Sequence, residues 1–312
     1  MEYHRGAARP PRPLPRAWAI HDDAQEYPMS PTARLMDGTA PARRIVEQAA
    51  ERAAALTEQT GRTPCLATVL VGEDPASVTY VRMKRNRCEK AGIRSRHVAL
   101  PATTTTGELV DTLTALSQDP EVHGILLQHP VGPHIDERAA FEAIAPEKDV
   151  DGVTYHSFAT MSFGADGFAS CTPGGILRLL DHYGVELAGR HAVVVGRSAI
   201  LGKPVGMLLL GRNATVTYCH SRTTDLAAVT RRADVLIAAV GRPRLLTADH
   251  IKPGAVVVDA GYNPGNIGDV DFDSAATRAS LITPVPGGVG PMTIATLLTQ
   301  TVDAATRQLK GA

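Results

Sequence analysis

Hydrophobic positions along this chain follow two rhythms in alternation. Short, nearly unbroken apolar runs recur at 65–71 (CLATVLV), 122–127, 191–195 (HAVVV), 235–239 and 255–259. They have the length of strands buried on both faces. Residues 95–100, 214–219 and 281–283 read as further strands. Between the strands the spacing is helical: 43–60, 107–117 with Thr106 as its cap, 136–144, 174–183, 204–210, 225–231 and a last helix over 291–309. Asp74 at an N-cap position, Pro75 at the first helical position and Gly92 at the stop predict one more helix. Strands separated by helices imply parallel pairing, because the connection must cross a face of the sheet. The pattern therefore predicts an α/β fold of two αβα domains with parallel sheets. The first covers 29–168 and the second, of Rossmann type, 169–283, with a cleft between them.

Residues 1–28 break the rhythm. Arg5, Arg9, Arg12 and Arg16 are interleaved with Pro10, Pro11, Pro13, Pro15 and Pro28. Proline at this density opposes helix and strand, so the reading is a disordered tail, and the amphipathic helix of an organelle-targeting peptide is disfavoured. Met29 opens the globular pattern and is a candidate native start. Composition narrows the picture further. Lys+Arg and Asp+Glu both number 32, and aromatics make up 4%. Zero formal charge and few rings argue against a nucleic-acid partner. Cys65, Cys88, Cys171 and Cys219 are scattered, which suits reduced core thiols in a cytoplasmic protein better than disulfides or zinc. No apolar run has membrane-spanning length.

The run HAVVVGRSAILGKPVG is a strand, a glycine turn and a helix opening with proline. Ser198 takes the place of the second glycine of the strict dinucleotide fingerprint, but Gly196 still permits the tight turn. The helix N-terminus beyond it offers N–H groups to a diphosphate. In NAD-binding proteins an acid at the tip of the next strand holds the ribose 2′-hydroxyl. Here that tip reads Cys219, His220, Ser221, Arg222, and Arg197 lies in the turn. Two arginines and a serine suit a 2′-phosphate, so NADP is predicted over NAD. The bland alternative makes Arg222 a solvated charge paired with Asp225.

In the first half, Tyr80 and Lys84 are spaced to share one helix face, with Ser77 a turn earlier. They are either surface decoration or a pair that binds and protonates a ligand. Y-x-x-x-K also marks short-chain dehydrogenases, but there the glycine loop precedes the pair; here it follows, in the other domain. Gln128 ends a strand where a ligand-facing amide would project, either capping the strand or holding Lys84. His129 is a second candidate base, though beside Pro130 a structural role serves as well. Asp149 and Asp151 point differently in an extended loop and are compatible with plain solvation. The histidines show no metal spacing, and no G-x-S-x-G elbow is present.

Taken together, VGEDPASVTYVRMK, GILLQHPV, PEKDVDG, CTPGG, GRHAVVVGRSAILGKPVGMLL, ATVTYCHSRT, KPGAVVVDAGYN, GDVDF and TPVPGGVGPMTIATLL resemble, in order, the bifunctional methylenetetrahydrofolate dehydrogenase/methenyltetrahydrofolate cyclohydrolase family. The resemblance implies oxidation of 5,10-methylenetetrahydrofolate with NADP, then hydrolysis to 10-formyltetrahydrofolate, by a homodimer. It implies Lys84 as the catalytic lysine, Tyr80 as the folate-stacking neighbour with Ser77 near the substrate, Gln128 as the partner of the lysine, and Asp151 as the pterin-binding carboxylate. Gly196, Arg197, Ser198, Ser221 and Tyr262 match cofactor contacts. Pro286, Gly287, Gly288 and Val289 match a turn near the folate, and residues 284–312 are expected to return to the first domain. His129 stands where the family often has leucine, Tyr155, His156, Ser157 and Phe158 replace an Asn-rich segment, and Gly174 replaces a usual basic residue.

Overall fold

The computed structural model describes residues 33–72 and 86–311. The tail, Asp74, Pro75, Ser77, Tyr80 and Lys84 lie outside the described residues. In chain order the strands are β1 (Arg34–Leu35), β2 (Cys65–Val71), β3 (Arg94–Leu100), β4 (Gly124–Leu127) and β5 (His191–Val195). They continue as β6 (Thr215–Cys219), β7 (Val235–Ala238), β8 (Val256–Asp259) and β9 (Leu281–Ile282). The helices are α1 (Thr39–Thr60), α2 (Thr106–Gln118), α3 (Glu137–Glu142), α4 (Tyr155–Phe163) and α5 (Cys171–His182), then α6 (Gly202–Gly211), α7 (Leu226–Thr230), α8 (Phe272–Ala276) and α9 (Val289–Lys310).

Two parallel sheets result, ordered β3-β2-β4 and β1-β9-β8-β7-β5-β6. Each strand's period of two divides its side chains between the two faces. Leu66 and Leu126 meet Ala49 and Ala53 of α1 and Leu297, Leu298 and Val302 of α9. Ala67, Val69, Ile125 and Leu127 meet Leu109 and Leu113 of α2 and Phe141 of α3. In the larger sheet Ala192, Val194 and Ile237 pack on Ile176 and Leu180 of α5 and Val205 of α6. Val193, Leu236 and Val257 face Leu246, Ile251 and Ala275. All four cysteines are buried.

The hydrophobic pattern does not signal β1, which pairs with β9 at the edge of the larger sheet before the chain enters the smaller one. α9 also serves both: Val289, Met292 and Ala295 lie in the core of the larger sheet, Ile294, Leu297 and Val302 in that of the smaller. The N-cap of α2 is Thr105 rather than Thr106. Thr105 Oγ1 accepts from Glu108 N at 3.3 Å while Glu108 accepts from Thr105 N at 2.8 Å. Among consecutive threonines, the glutamate three residues on selects which one closes the capping box. α4 has no clear amphipathic spacing to announce it; Thr154 caps it and Gly164 ends it in a left-handed conformation. Among the described residues no helix is long and apolar enough to cross a membrane.

One buried group gives the fold a pH response. His123 is 1% exposed; its Nδ1 accepts from Cys65 N at 3.1 Å and its Nε2 has no partner among the described residues. Burial, with Arg62 and Lys148 nearby, pushes its pKa down to about 4. Between that value and the ordinary one near 6.5, the unfolded chain binds the extra proton. Stability is therefore complete above this window and is lost as pH falls through it. From neutral pH to about 4.5, wild type should lose about 2 kcal/mol more unfolding free energy than His123→Asn in urea titrations. Equal losses would contradict the assignment.

Candidate active site at the carboxyl edges of the two sheets

In the larger sheet β5 has β6 on one side and β7 on the other. Chain direction thus diverges at the carboxyl ends of β5 and β7, the crevice where open parallel sheets bind ligands. Gly196 sits there with φ +135°. A Cβ on it would lie 2.1 Å from the Ala239 carbonyl, so no other residue allows the turn to pass this close to β7. Gly202 N donates to Ser198 Oγ at 3.1 Å and Lys203 N to Ser198 O at 3.0 Å, folding the turn onto the start of α6. Leu201, at the N-cap position, contributes no side-chain bond, and Ser198 takes that part. The backbone N–H groups of Ser198, Ala199 and Ile200 find no acceptor among the described residues. Three such donors in the turn that leads into a helix fit a dinucleotide diphosphate.

Arg197, Ser198, Ser221 and Arg222 are all exposed beside this turn. The alternative pairing of Arg222 with Asp225 is not formed among the described residues: the Asp225 carboxylate accepts from Ala228 N at 3.1 Å and caps α7. No acid stands at the tip of β6. The donor set therefore fits a 2′-phosphate rather than a bare ribose hydroxyl. Tyr262, after β8, is exposed, and its hydroxyl donates to Asn266 Oδ1 at 2.7 Å.

The smaller sheet repeats the geometry, with β2 flanked by β3 and β4. Gln128 leaves β4 at that edge, half-buried, its N–H on Val69 O at 2.8 Å and its Nε2 donating to His129 O at 2.9 Å. The His129 ring meets Phe141 edge-on at 6.1 Å. The peptide bond before Pro130 is cis. Asp149 and Asp151 part company. Asp149 is fully buried and accepts from Gly152 N, Val153 N, Thr154 N, Thr154 Oγ1 and Ser157 Oγ, organising the start of α4. Asp151 is half-buried, and its carboxylate has no partner among the described residues. Its loop is fixed from outside, because Gln300 Nε2 of α9 donates to Val150 O at 2.7 Å and Ser170 Oγ donates to Gly152 O at 2.7 Å. Gln300 carries no sequence signal beyond lying on a helix.

Two contacts join the edges. Ile200, in the glycine turn, packs against the cluster of the smaller sheet that contains Leu127 and Val131 on either side of Gln128. α4, which follows the Asp151 loop, packs on α6, which follows the glycine turn. The 286–289 turn links β9 to α9. Gly287 O accepts from Gly38 N at 2.8 Å, Pro286 follows a cis peptide bond, and the Val289 side chain is packed in the larger core. A cavity of about 370 Å³ lies elsewhere, at the amino ends of β5, β7 and β8, lined by Arg190, Asp234, Lys252 and Ser280. Two of its ionic groups meet each other, Lys252 Nζ lying 2.7 Å from Asp234 Oδ1. None of the dinucleotide or polar groups above reaches it.

Sheet order, crevice and glycine turn define a parallel α/β protein with a Rossmann-type dinucleotide-binding unit joined to a second, smaller αβ unit. The model for the catalytic domain of tetrahydrofolate dehydrogenase/cyclohydrolase matches residues 36–151, and that for the family's NAD(P)-binding domain matches residues 170–309. The chain belongs to the tetrahydrofolate dehydrogenase/cyclohydrolase family. It is 78% identical over 278 residues to bifunctional protein FolD 1 of Streptomyces avermitilis, covering 89% of this chain and 97% of the relative. The crystal structure of the bifunctional enzyme FolD from Campylobacter jejuni is similar with a TM-score of 0.86 and 44% identity, covering 89% of this chain and all of the other. The Trypanosoma brucei methylenetetrahydrofolate dehydrogenase-cyclohydrolase, solved with NADP cofactor and inhibitor, gives a TM-score of 0.86 at 38% identity over 89% of this chain and 99% of the other.

Proposed function

We propose that this protein oxidises 5,10-methylenetetrahydrofolate to the methenyl form with NADP and hydrolyses that product to 10-formyltetrahydrofolate, both at the junction of the two sheets. The observation that carries this reading is Ile200, through which the glycine turn rests on the cluster around Gln128. A dinucleotide at the turn and a folate beside Gln128 and Asp151 would then be neighbours.

Gly196, Arg197, Ser198, Ser221 and Tyr262 hold the dinucleotide, with Arg197 and Ser221 at its 2′-phosphate. Once bound, it supplies the acceptor for hydride leaving the methylene carbon; the protein's part in that step is alignment. Asp151, whose carboxylate oxygens are unused among the described residues, takes the N–H donors of the pterin ring. Tyr80 stacks on the folate, Ser77 lies near it, and 286–289 closes the far side. In hydrolysis, water adds to the methenyl carbon and its proton passes to the amine of Lys84. The carbon–N5 bond then breaks as the hydroxyl on that carbon gives up its proton to become the formyl oxygen and N5 takes up one proton, so that one proton is released overall. This requires a neutral amine near pH 7, and a cationic substrate alongside lowers the lysine pKa in that direction. Gln128 orients the amine. The division into units at 29–168 and 169–283, completed by 284–312, a homodimeric assembly and a cytoplasmic location form part of the same proposal.

The test supplies methylenetetrahydrofolate and NADP and follows NADPH and the methenyl intermediate together. NADPH formation without methenyl accumulation is expected. Accumulation would leave a dehydrogenase alone, and absence of NADPH would leave a binding protein. Arg197→Ala should lower the kcat/KM preference for NADP over NAD by roughly 10- to 100-fold, the worth of a lost charge-assisted phosphate contact. An unchanged ratio would remove Arg197 from the phosphate site.

A further inference from the structure

Beyond β7 the chain turns through 239–242, the segment whose Ala239 carbonyl abuts Gly196. Three successive N–H groups of this turn converge on one fully buried carboxylate that the proposed reaction does not use. Asp269 Oδ2 accepts from Val240 N at 2.7 Å and Gly241 N at 2.9 Å; Oδ1 accepts from Arg242 N at 2.9 Å and from Asn263 Nδ2 at 3.1 Å. Asn263 belongs to the turn after β8, next to the exposed Tyr262. One side chain thus fastens both turns that follow the glycine turn along the sheet edge.

Asp269 is itself held in register. Asp259, the last residue of β8, accepts from Asp269 N at 3.0 Å through Oδ1 and from Val270 N at 2.9 Å through Oδ2. Burial raises the Asp259 carboxyl to about 6. Room for the Asp269 carboxylate depends on residue 261, where a Cβ would stand 2.2 Å from Asp269 Cγ. Arg244 N donates to Gly268 O and Leu246 N to Asp269 O, each at 3.0 Å, so the 268–271 segment runs alongside the continuation of the β7 turn. Fixed N–H donors around a carboxylate make a stiff joint, because each bond is charge-assisted and shielded from water.

Resting on the function proposed above, we infer that Asp269 is a positioning residue for the dinucleotide: it sets the 240–242 and 262–263 turns against the glycine turn and so fixes the floor on which the cofactor lies. A purely structural brace would weaken everything alike. A positioning residue weakens the dinucleotide selectively, because hydrolysis of methenyltetrahydrofolate consumes water and needs no redox partner.

The experiment uses the full chain carrying Asp269→Asn, which keeps the shape but turns one acceptor into a donor facing N–H groups. Three quantities are measured: NADP dissociation by titration calorimetry, NADP KM and kcat in the dehydrogenase assay, and hydrolysis of supplied methenyltetrahydrofolate. NADP Kd and KM should rise roughly 10- to 100-fold, with hydrolysis within about twofold of wild type. NADP Kd at the wild-type value, or equal losses in binding and hydrolysis, would overturn the inference. If Asp269→Asn does not fold, Asn263→Ser, which removes the amide that donates to Asp269 Oδ1 and to Ile267 O, should raise NADP Kd several-fold with the same sparing of hydrolysis; an unchanged Kd would overturn it equally. Calorimetry needs no turnover, so a wild type lacking both activities would sink the proposed reaction while still deciding the part played by Asp269.

Discussion

Lys84→Met should abolish hydrolysis of methenyltetrahydrofolate while leaving NADP binding intact. Methionine nearly matches the length of the lysine stem but cannot take a proton, so under the proposed mechanism what is lost is the acceptor for the proton of the attacking water. General base catalysis of this kind contributes about 10²- to 10⁴-fold, and hydrolysis should fall by that factor. Hydride transfer depends on alignment rather than on a proton, so oxidation should decline far less. In the coupled assay the variant would form NADPH and accumulate the methenyl intermediate. A variant that hydrolyses at the wild-type rate would assign the proton to another group, with His129 the first to examine.

Gly196→Ala carries the second large effect, at the other end of the site. Its added methyl would meet the Ala239 carbonyl at 2.1 Å on a backbone with φ +135°. Neither side can yield cheaply, because Ala239 N is bonded to Val195 O at 2.8 Å and Gly196 N to Cys219 O at 2.9 Å. The turn must open, displacing the donors of 198–200 from the start of α6. NADP affinity should drop by roughly 100-fold or more, and unfolding free energy by about 2–4 kcal/mol. Titration of NADP and a denaturant melt measure the two. Wild-type NADP affinity would show that the close approach of turn and β7 is irrelevant to the cofactor.

The sequence reveals what repeats and hides what meets across distance. Unbroken apolar runs of strand length yield β2 and β5 with their observed bounds, since a strand buried on both faces has few other ways to be written. The glycine turn is equally plain, because a left-handed, crowded backbone position admits essentially one residue type. β1 stays hidden: a pair of residues has no period, and its pairing with β9 depends on contacts from the far end of the chain. Asp149 and Asp151 look alike in the sequence, and only the course of the backbone turns one inward to hold the segment leading into α4 and leaves the other open. Asp269 illustrates the same limit. Its motif, GDVDF, is recognisable, but its backbone partners lie in a single turn 27 to 29 residues earlier. Ile200 reads as one apolar residue in a loop until the smaller sheet is set against it.

The chain passes between the sheets after β1, ahead of α5 and after β9. α1 and α9 are rigid rods anchored in both cores, with Ala42 and Ala49 of one and Met292 and Leu298 of the other on the two sides. A hinge made of one flexible linker would let the halves swing freely; here any swing must bend every crossing in concert. Wide opening is therefore costly, and traffic of folate and dinucleotide falls to the mouths of the individual turns. For the same reason neither half should survive alone, since cutting the chain near residue 168 strands α9 with half of its apolar surface facing water.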